Sequence, residues 1–227
     1  MISVKNLVKT FIDGDKTTPV LKGVNFECES GEFIAIMGRS GAGKSTFMYQ
    51  VSLLDEPTSG EIIIDGHDVH DMTSDEKTEF RLTDLGYVFQ DYALLPDLTA
   101  KENVALPLLM QGMPKKEAYE ISISALGKAG LDHRVDFLPS QMSGGEQQRV
   151  SITRAVAHKP KILFADEPTA NLDNYSSGLV MEMFKELHRE GQTIIMVTHE
   201  EQYAKLAERL IRFDDGMIVG EELLNNS

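Results

Sequence analysis

The nine residues GRSGAGKST, Gly38 to Thr46, gather three glycines, a lysine and a serine–threonine pair. Glycines let a backbone wrap tightly and aim successive N–H groups at one point, the arrangement that holds phosphate oxygens. The run matches G-x-x-x-x-G-K-[ST] in full. In that pattern Lys44 brings a cation to the β- and γ-phosphates, and the Ser45 hydroxyl ligates Mg²⁺. Arg39, Ser40, Gly41, Ala42, Gly43 and Thr46 complete the loop. Its flanks fit, because the apolar run GEFIAIMG reads as a buried strand and a helix is expected from Ser45 to about Leu54.

A second chemical signal is ILFADEP, a buried strand that delivers Asp166 and Glu167 at its carboxyl end. Ligands bind at that edge in open α/β sheets. Asp166 is placed to hold Mg²⁺, and Glu167 is a candidate base for polarising an attacking water. TIIMVTHE brings His199 past a similar strand, within reach of a γ-phosphate. LGYVFQD brings Gln90, whose amide could contact Mg²⁺ and the attacking water, although polar residues commonly end strands. His67, His70, His133, His158 and His188 lack such a context and are expected on the surface.

The octet MSGGEQQR, Met142 to Arg149, is ambiguous. Ser143 followed three residues later by Glu146 is a helix capping box. Two glycines at a helix start also leave backbone N–H groups bare, and such groups bind anions. The capping box predicts that Glu146 folds back toward the Ser143 N–H, away from any phosphate, or meets a ribose hydroxyl.

These residues need elements to position them. ISVKNLVKTF and VLKGVNFEC read as N-terminal strands around the turn DGDKTTP, and SGEIIIDGHDV returns to strand character. From Asp91 the pattern becomes helical, as in KKEAYEISISALGKAGL, with Pro96, Pro107 and Pro114 as punctuation. After the octet come another helix, the strand KILFADEP, the helix SSGLVMEMFKELHREG, the strand QTIIMVTHE and the helix EQYAKLAERL. IRFDDGMIVGEE reads as a hairpin turning at Asp215-Gly216. Alternating strands and helices predict an α/β fold with a mainly parallel sheet core. An antiparallel β-subdomain is expected at the N-terminus, and an α-helical subdomain is inserted. The expected organisation is one domain over residues 1–227, with its core at about 1–90 and 158–227 and the helical subdomain at about 91–157.

Composition narrows the function. The net charge is −14, with 22 Lys and Arg against 36 Asp and Glu, which disfavours nucleic acid as a partner. The single cysteine, Cys28, excludes an intramolecular disulfide. No secretory signal is read at the N-terminus. No apolar run approaches the roughly 20 residues that span a bilayer, so the chain is not expected to cross a membrane alone.

Taken in order, Gly38–Thr46, Gln90, Ser143–Gln148, Asp166–Glu167, the NLD run Asn171–Asp173 and His199 resemble the nucleotide-binding domain of ATP-binding-cassette (ABC) transporters. The resemblance spans essentially the whole chain and implies a P-loop NTPase that binds and hydrolyses ATP with Mg²⁺. It implies an ATP-induced head-to-tail homodimer in which Ser143, Gly144, Gly145 and Glu146 of one copy face the ATP held by the other. Phe11 would stack on adenine, and Asn171–Asp173 would run along the dimer interface. The segment after Gln90 would meet a membrane permease, which places the chain in the cytoplasm on the inner face of the membrane. Arg81 to Leu109 resembles the branch with the lipoprotein-release, macrolide-export, antimicrobial-peptide-export and cell-division ATPases. Two function classes follow: an ATPase driving export or lipoprotein and peptide extraction, and an FtsE-like ATPase that signals to cell-wall machinery without moving cargo. A soluble cassette acting on ribosomes or DNA fits less well, because it usually has two linked cassettes or a long insertion. The octet departs from the usual family pattern at Glu146, where glutamine is common, and at Met142, where leucine is common.

Overall fold

The computed structural model describes residues 1–224. The chain divides into two compact units, Met1–Arg81 with the chain from Gly191 onward, and Leu82–Glu190.

The first unit opens with a long hairpin, β1 (Ile2–Asp13) and β2 (Lys16–Cys28), paired from Ile2↔Cys28 to Asp13↔Lys16. The turn is tighter than the sequence predicts, because Thr17 to Pro19 already belong to β2. The other edge of β1 pairs antiparallel with β4 (Ser59–Ile64), and β4 pairs with the short β5 (His67–Asp68). Gly60 has φ +104°, and a Cβ there would lie 2.6 Å from the Asn6 carbonyl oxygen, so only glycine permits this crossing. The unit's second layer is built on β3 (Phe33–Gly38), whose residues are buried as far as Met37. It runs parallel to β8 (Thr193–Val197) and to β9 (Arg209–Asp214). β10 (Met217–Leu223) returns antiparallel to β9 through Asp215 and Gly216, both with positive φ, a type I′ turn. Continuous burial on both faces is what parallel strands require. α1 (Lys44–Val51) follows β3, and its Phe47 ring packs 5.2 Å from Phe26 and 5.3 Å from Phe213.

Two helical expectations change here. Ser74–Thr83 forms a helix, α2, that the sequence reading did not anticipate. It has no buried residue, and Thr73 and Glu76 exchange hydrogen bonds at its start. The helix expected over EQYAKLAERL is only α7 (Glu201–Ala204), because Arg209 and Leu210 are taken into β9 by pairing with Ile34 and Ala35 of β3. Tertiary pairing overrides a helical pattern there.

In the second unit, β6 (Leu85–Val88) runs parallel to β7 (Ile162–Asp166), from Leu85↔Ile162 to Val88↔Ala165. Three helices accompany them: α3 (Ala100–Met110), α4 (Lys115–Lys128) and α5 (Gly144–Val156). One apolar cluster joins Ala100, Val104, Leu126, Leu131, Met142 and Val150, and a second joins Ala105, Leu108 and Ala118. Pro107 lies inside α3 rather than ending it. α6 (Asn174–Arg189) follows β7, capped by Asp173, whose carboxylate accepts from the Ser176 N–H at 2.7 Å. The fold is an α/β core with parallel pairing, an N-terminal antiparallel sheet and a helical insertion. Among the described residues, no helix is long and apolar enough to cross a membrane.

Candidate nucleotide-binding site

In the first unit, the loop after β3 is shaped by backbone constraint. Gly41 and Gly43 hold φ of +78° and +98°, the left-handed region where other residues are strained. A Cβ at Gly43 would stand 3.1 Å from the Val20 carbonyl oxygen, and one at Gly38 would collide with the Phe213 carbonyl. The Gly216 N–H donates to the Ala42 carbonyl at 2.9 Å, and the Gly216 carbonyl accepts from the Lys22 N–H at 3.0 Å. The loop is therefore clamped by the β9–β10 hairpin and by β2. Gly43 is the N-cap of α1 and supplies no side-chain cap, and no acid lies in the first turn. The N-cap residue therefore offers no side chain to the first N–H groups of α1, a helix start suited to an anion. Lys44 is 7% exposed, and its ammonium donates to the Gly38 and Arg39 carbonyls at 2.9 and 3.0 Å. The lysine braces the loop in the shape a phosphate would occupy.

His199 is exposed just beyond β8. Ile36 is level with Val197 and its carbonyl accepts from the Thr198 N–H at 3.1 Å, so His199 leaves β8 at the same sheet edge where Gly38 leaves β3. Phe11 lies on β1 opposite Thr18 and is 46% exposed, with the Lys9 ammonium 4.9 Å from its ring centroid. It offers an accessible aromatic face.

In the second unit, the pairing Val88↔Ala165 brings Gln90 and Glu167 out at one carboxyl edge. Asp166 is 7% exposed. Glu167 has φ +50°, a left-handed conformation that strains a non-glycine residue and that clusters at functional sites. The Gln90 carbonyl accepts from the Asn171 amide at 3.1 Å, which ties the NLD run to the loop after β6. Beyond Gln90, Tyr92 and Ala93 also have positive φ, 65° and 47°. Arg154 on α5 donates to both of their carbonyls, at 3.1 Å to Tyr92 and 2.7 Å to Ala93.

The octet is a cap with a crowded underside. Ser143 is the N-cap of α5, and its hydroxyl accepts from the Glu146 N–H at 3.3 Å. Glu146 Oε2 accepts from the Ser143 N–H at 2.8 Å and from its hydroxyl at 3.1 Å. The carboxylate is thus folded back as the capping box predicts. Burial acts to raise its pKa, but the bonds from Ser143 and Arg134 outweigh burial and hold it below the usual glutamate range. A Cβ at Gly144 would meet the Tyr92 hydroxyl at 2.8 Å, and one at Gly145 would meet the Ser176 Cβ at 2.6 Å. Gly145 is thus required by a neighbour within the chain, whereas at Gly144 the tip of the Tyr92 side chain would have to shift.

The donor set tests the fit of Mg²⁺. Among the described residues, no three His, Cys, Asp or Glu side chains cluster as a metal cage. Ser45 in the first unit, and Gln90 and Asp166 in the second, each offer an oxygen donor. That suits a cation that keeps waters and shares its ligands with phosphates.

The family model for the ABC transporter matches residues 21–170. The chain belongs to the ABC transporter ATP-binding family. It is similar to the lipoprotein-releasing system ATP-binding protein LolD of Aquifex aeolicus, at 46% identity over 89% of this chain and 90% of that protein. It is also similar to the macrolide export ATP-binding/permease protein MacB of Vibrio parahaemolyticus, at 43% identity over 98% of this chain. This chain spans only 34% of that MacB's length. Among solved structures, the dimeric post-hydrolysis state of the ATP-binding cassette MJ0796, bound to ADP and Pi, matches with a TM-score of 0.93 and 40% identity over the whole of both chains.

In this ATP-binding domain, the structure brings Gly38–Thr46 and His199 to one sheet edge within the first unit, and Gln90 and Glu167 to one carboxyl edge within the second. One surface expectation fails. His158 is half-buried, its Nε2 lies 3.1 Å from the Leu85 carbonyl, and burial pushes its pKa down. The neutral Nε2–H tautomer donates there. His188 is also half-buried, whereas His67, His70 and His133 are exposed. Arg134 and Arg154 were missed by sequence reading, because their partners lie far along the chain or on backbone carbonyls.

Proposed function

We propose that this domain hydrolyses Mg²⁺-ATP and uses the cycle to drive a separate membrane permease in export or in lipoprotein or peptide extraction. The observation carrying this reading is the lysine-braced loop whose following helix has no side-chain cap from Gly43, in a chain that resembles an ATP-binding subunit over 89% of its length. Gly38, Arg39, Ser40, Gly41, Ala42, Gly43, Lys44, Ser45 and Thr46 hold the phosphates, and Phe11 stacks on the base. Ser45, Asp166 and Gln90 hold Mg²⁺, which neutralises charge on the β- and γ-phosphates. Glu167 polarises the attacking water, and Gln90 helps orient it. Lys44 and His199 stabilise the charge that develops on the γ-phosphate.

The resemblance to a dimeric cassette supports ATP-induced head-to-tail pairing, with Ser143, Gly144, Gly145 and Glu146 of one copy completing the site of the other. Residues 1–90 and 158–227 serve as the catalytic core, and the helical subdomain at 91–157 meets the permease. The domain then works at the inner face of the membrane, held there by the permease. Replacement Glu167→Gln keeps ATP binding and traps a closed dimer with hydrolysis nearly abolished. Near-normal turnover in that variant would remove Glu167 from the role of base.

A further inference from the structure

Glu146 sets a negative charge within an edge proposed to face phosphates, and the structure shows what restrains it. Its Oε1 accepts from Arg134 Nε at 2.8 Å, while Oε2 is held by the Ser143 N–H and hydroxyl. The pair is largely shielded, with the Glu146 side chain 14% exposed and that of Arg134 28%. Arg134 ends the short 3-10 turn Asp132–Arg134, and its guanidinium sits 4.7 Å from the Phe137 ring centroid. Phe137 packs on the apolar cluster that contains Met142 and Leu131. The cation is therefore anchored to the same cluster that seats the residue preceding Ser143. The exposed His133 adds Nε2 at 3.9 Å from Oε1, a second cation only when protonated.

We infer that Arg134 is a positioning residue for the phosphate-facing edge of MSGGEQQR. It neutralises Glu146 and fixes its carboxylate on the Ser143 N–H. The Ser143 hydroxyl and the first amides of α5 then meet a nucleotide held by a second copy without an opposing charge. This rests on the head-to-tail dimer proposed above. The Ser143 hydroxyl donates a hydrogen bond to Glu146 Oε2 at 3.1 Å, and an arriving phosphate oxygen replaces that carboxylate oxygen as acceptor. The carboxylate then keeps the Ser143 N–H and the Arg134 guanidinium, so it stays anchored while the hydroxyl turns. Without Arg134 the carboxylate loses its counter-ion and repels the incoming triphosphate, because like charges brought together at an interface oppose association.

The test uses the full chain carrying Glu167→Gln, alone and with Arg134→Ala, Arg134→Lys, Glu146→Gln or the Arg134→Ala/Glu146→Gln pair. Dimer formation is followed by light scattering as ATP is added, and nucleotide affinity is measured at concentrations where the chain stays monomeric. Arg134→Ala is expected to raise the ATP needed for half-maximal dimerisation about tenfold, with monomer affinity constant because the phosphate loop is untouched. Arg134→Lys retains the charge and recovers most of the loss. The double variant follows Glu146→Gln, since a neutral amide needs no counter-ion and its oxygen still accepts from the Ser143 N–H. A double variant as impaired as Arg134→Ala, through misfolding or otherwise, overturns the inference, as does Arg134→Ala dimerising at the unaltered ATP concentration. Failure of the dimer reading looks different, because then no variant, nor the Glu167→Gln parent, dimerises with ATP.

Discussion

Replacing Arg154 by methionine keeps an apolar stem and removes the guanidinium that spans the Tyr92 and Ala93 carbonyls at 3.1 and 2.7 Å. A hydrogen bond from a charged donor contributes about 1.5–3 kcal/mol, so two contribute roughly 3–6 kcal/mol before the cost of burying the ion. That cost is real here, since burial alone pushes the Arg154 pKa down, and it cancels most of the gain, leaving about 2 kcal/mol. The bonds oppose a defined strain. Tyr92 and Ala93 sit at φ 65° and 47°, and left-handed backbone costs a non-glycine residue about 1–2 kcal/mol. Released, the segment relaxes and the Tyr92 hydroxyl leaves Gly144. Native-state hydrogen exchange measures this directly at the amides of Tyr92, Ala93 and Leu95, which donate to Phe89, Asp91 and the Asn103 side chain. Their protection should fall roughly 30-fold, corresponding to about 2 kcal/mol, while the amides of β7 keep theirs. Adding Ala93→Gly removes one strained residue and should recover about 1 kcal/mol. Unchanged exchange at these amides, or a loss spread evenly over the chain, would refute the assignment of Arg154 as the strap of this segment.

Other outcomes follow from the same contacts. Gly145→Ala drives a methyl against the Ser176 Cβ at 2.6 Å and should lower stability by about 1–3 kcal/mol in chemical denaturation, with Ser176→Gly restoring part of it. Burial pushes the Cys28 thiol up to about 12, so native protein should resist iodoacetamide at pH 8 and react once unfolded, as mass spectrometry would show. Because the folded-state pKa of Glu146 is depressed, its contribution is complete above the ordinary glutamate pKa and is lost as pH falls through the folded value. Stability curves between pH 7 and 3 should therefore fall less steeply for Glu146→Gln. Thr99→Ala removes the hydroxyl that accepts from the Glu102 N–H and should cost about 1 kcal/mol of stability, read as a lower melting temperature.

The loop Gly38–Thr46 was legible because its pattern is written in contiguous residues, and the buried strands β3, β7 and β8 announced themselves as unbroken apolar runs. The capping box at Ser143 and Glu146 was legible for the same reason, since both partners fall within one helical turn. α2 escaped because it buries nothing and so carries no apolar stripe. Arg209 and Leu210 continue a helical pattern in the sequence and become strand only because β3 offers Ile34 and Ala35 as partners. Arg134 and Arg154 escaped because nothing local distinguishes them from surface arginines. Each acquires its meaning from a partner that the fold delivers, a carboxylate for Arg134 and two carbonyls for Arg154. The two glycines after Ser143 were read as leaving N–H groups bare for an anion, and the structure adds Tyr92 and Ser176 as neighbours on one side of them.

The clamp on the phosphate loop also bears on the life of the polypeptide before it is finished. Gly38 abuts Phe213, and Ala42 is bonded to Gly216, so the loop draws its shape from residues that a ribosome makes near the end of this sequence. A nascent chain displays GRSGAGKST early but has nothing to close it against. The loop therefore reaches its clamped shape only once the β9–β10 hairpin has emerged and folded back.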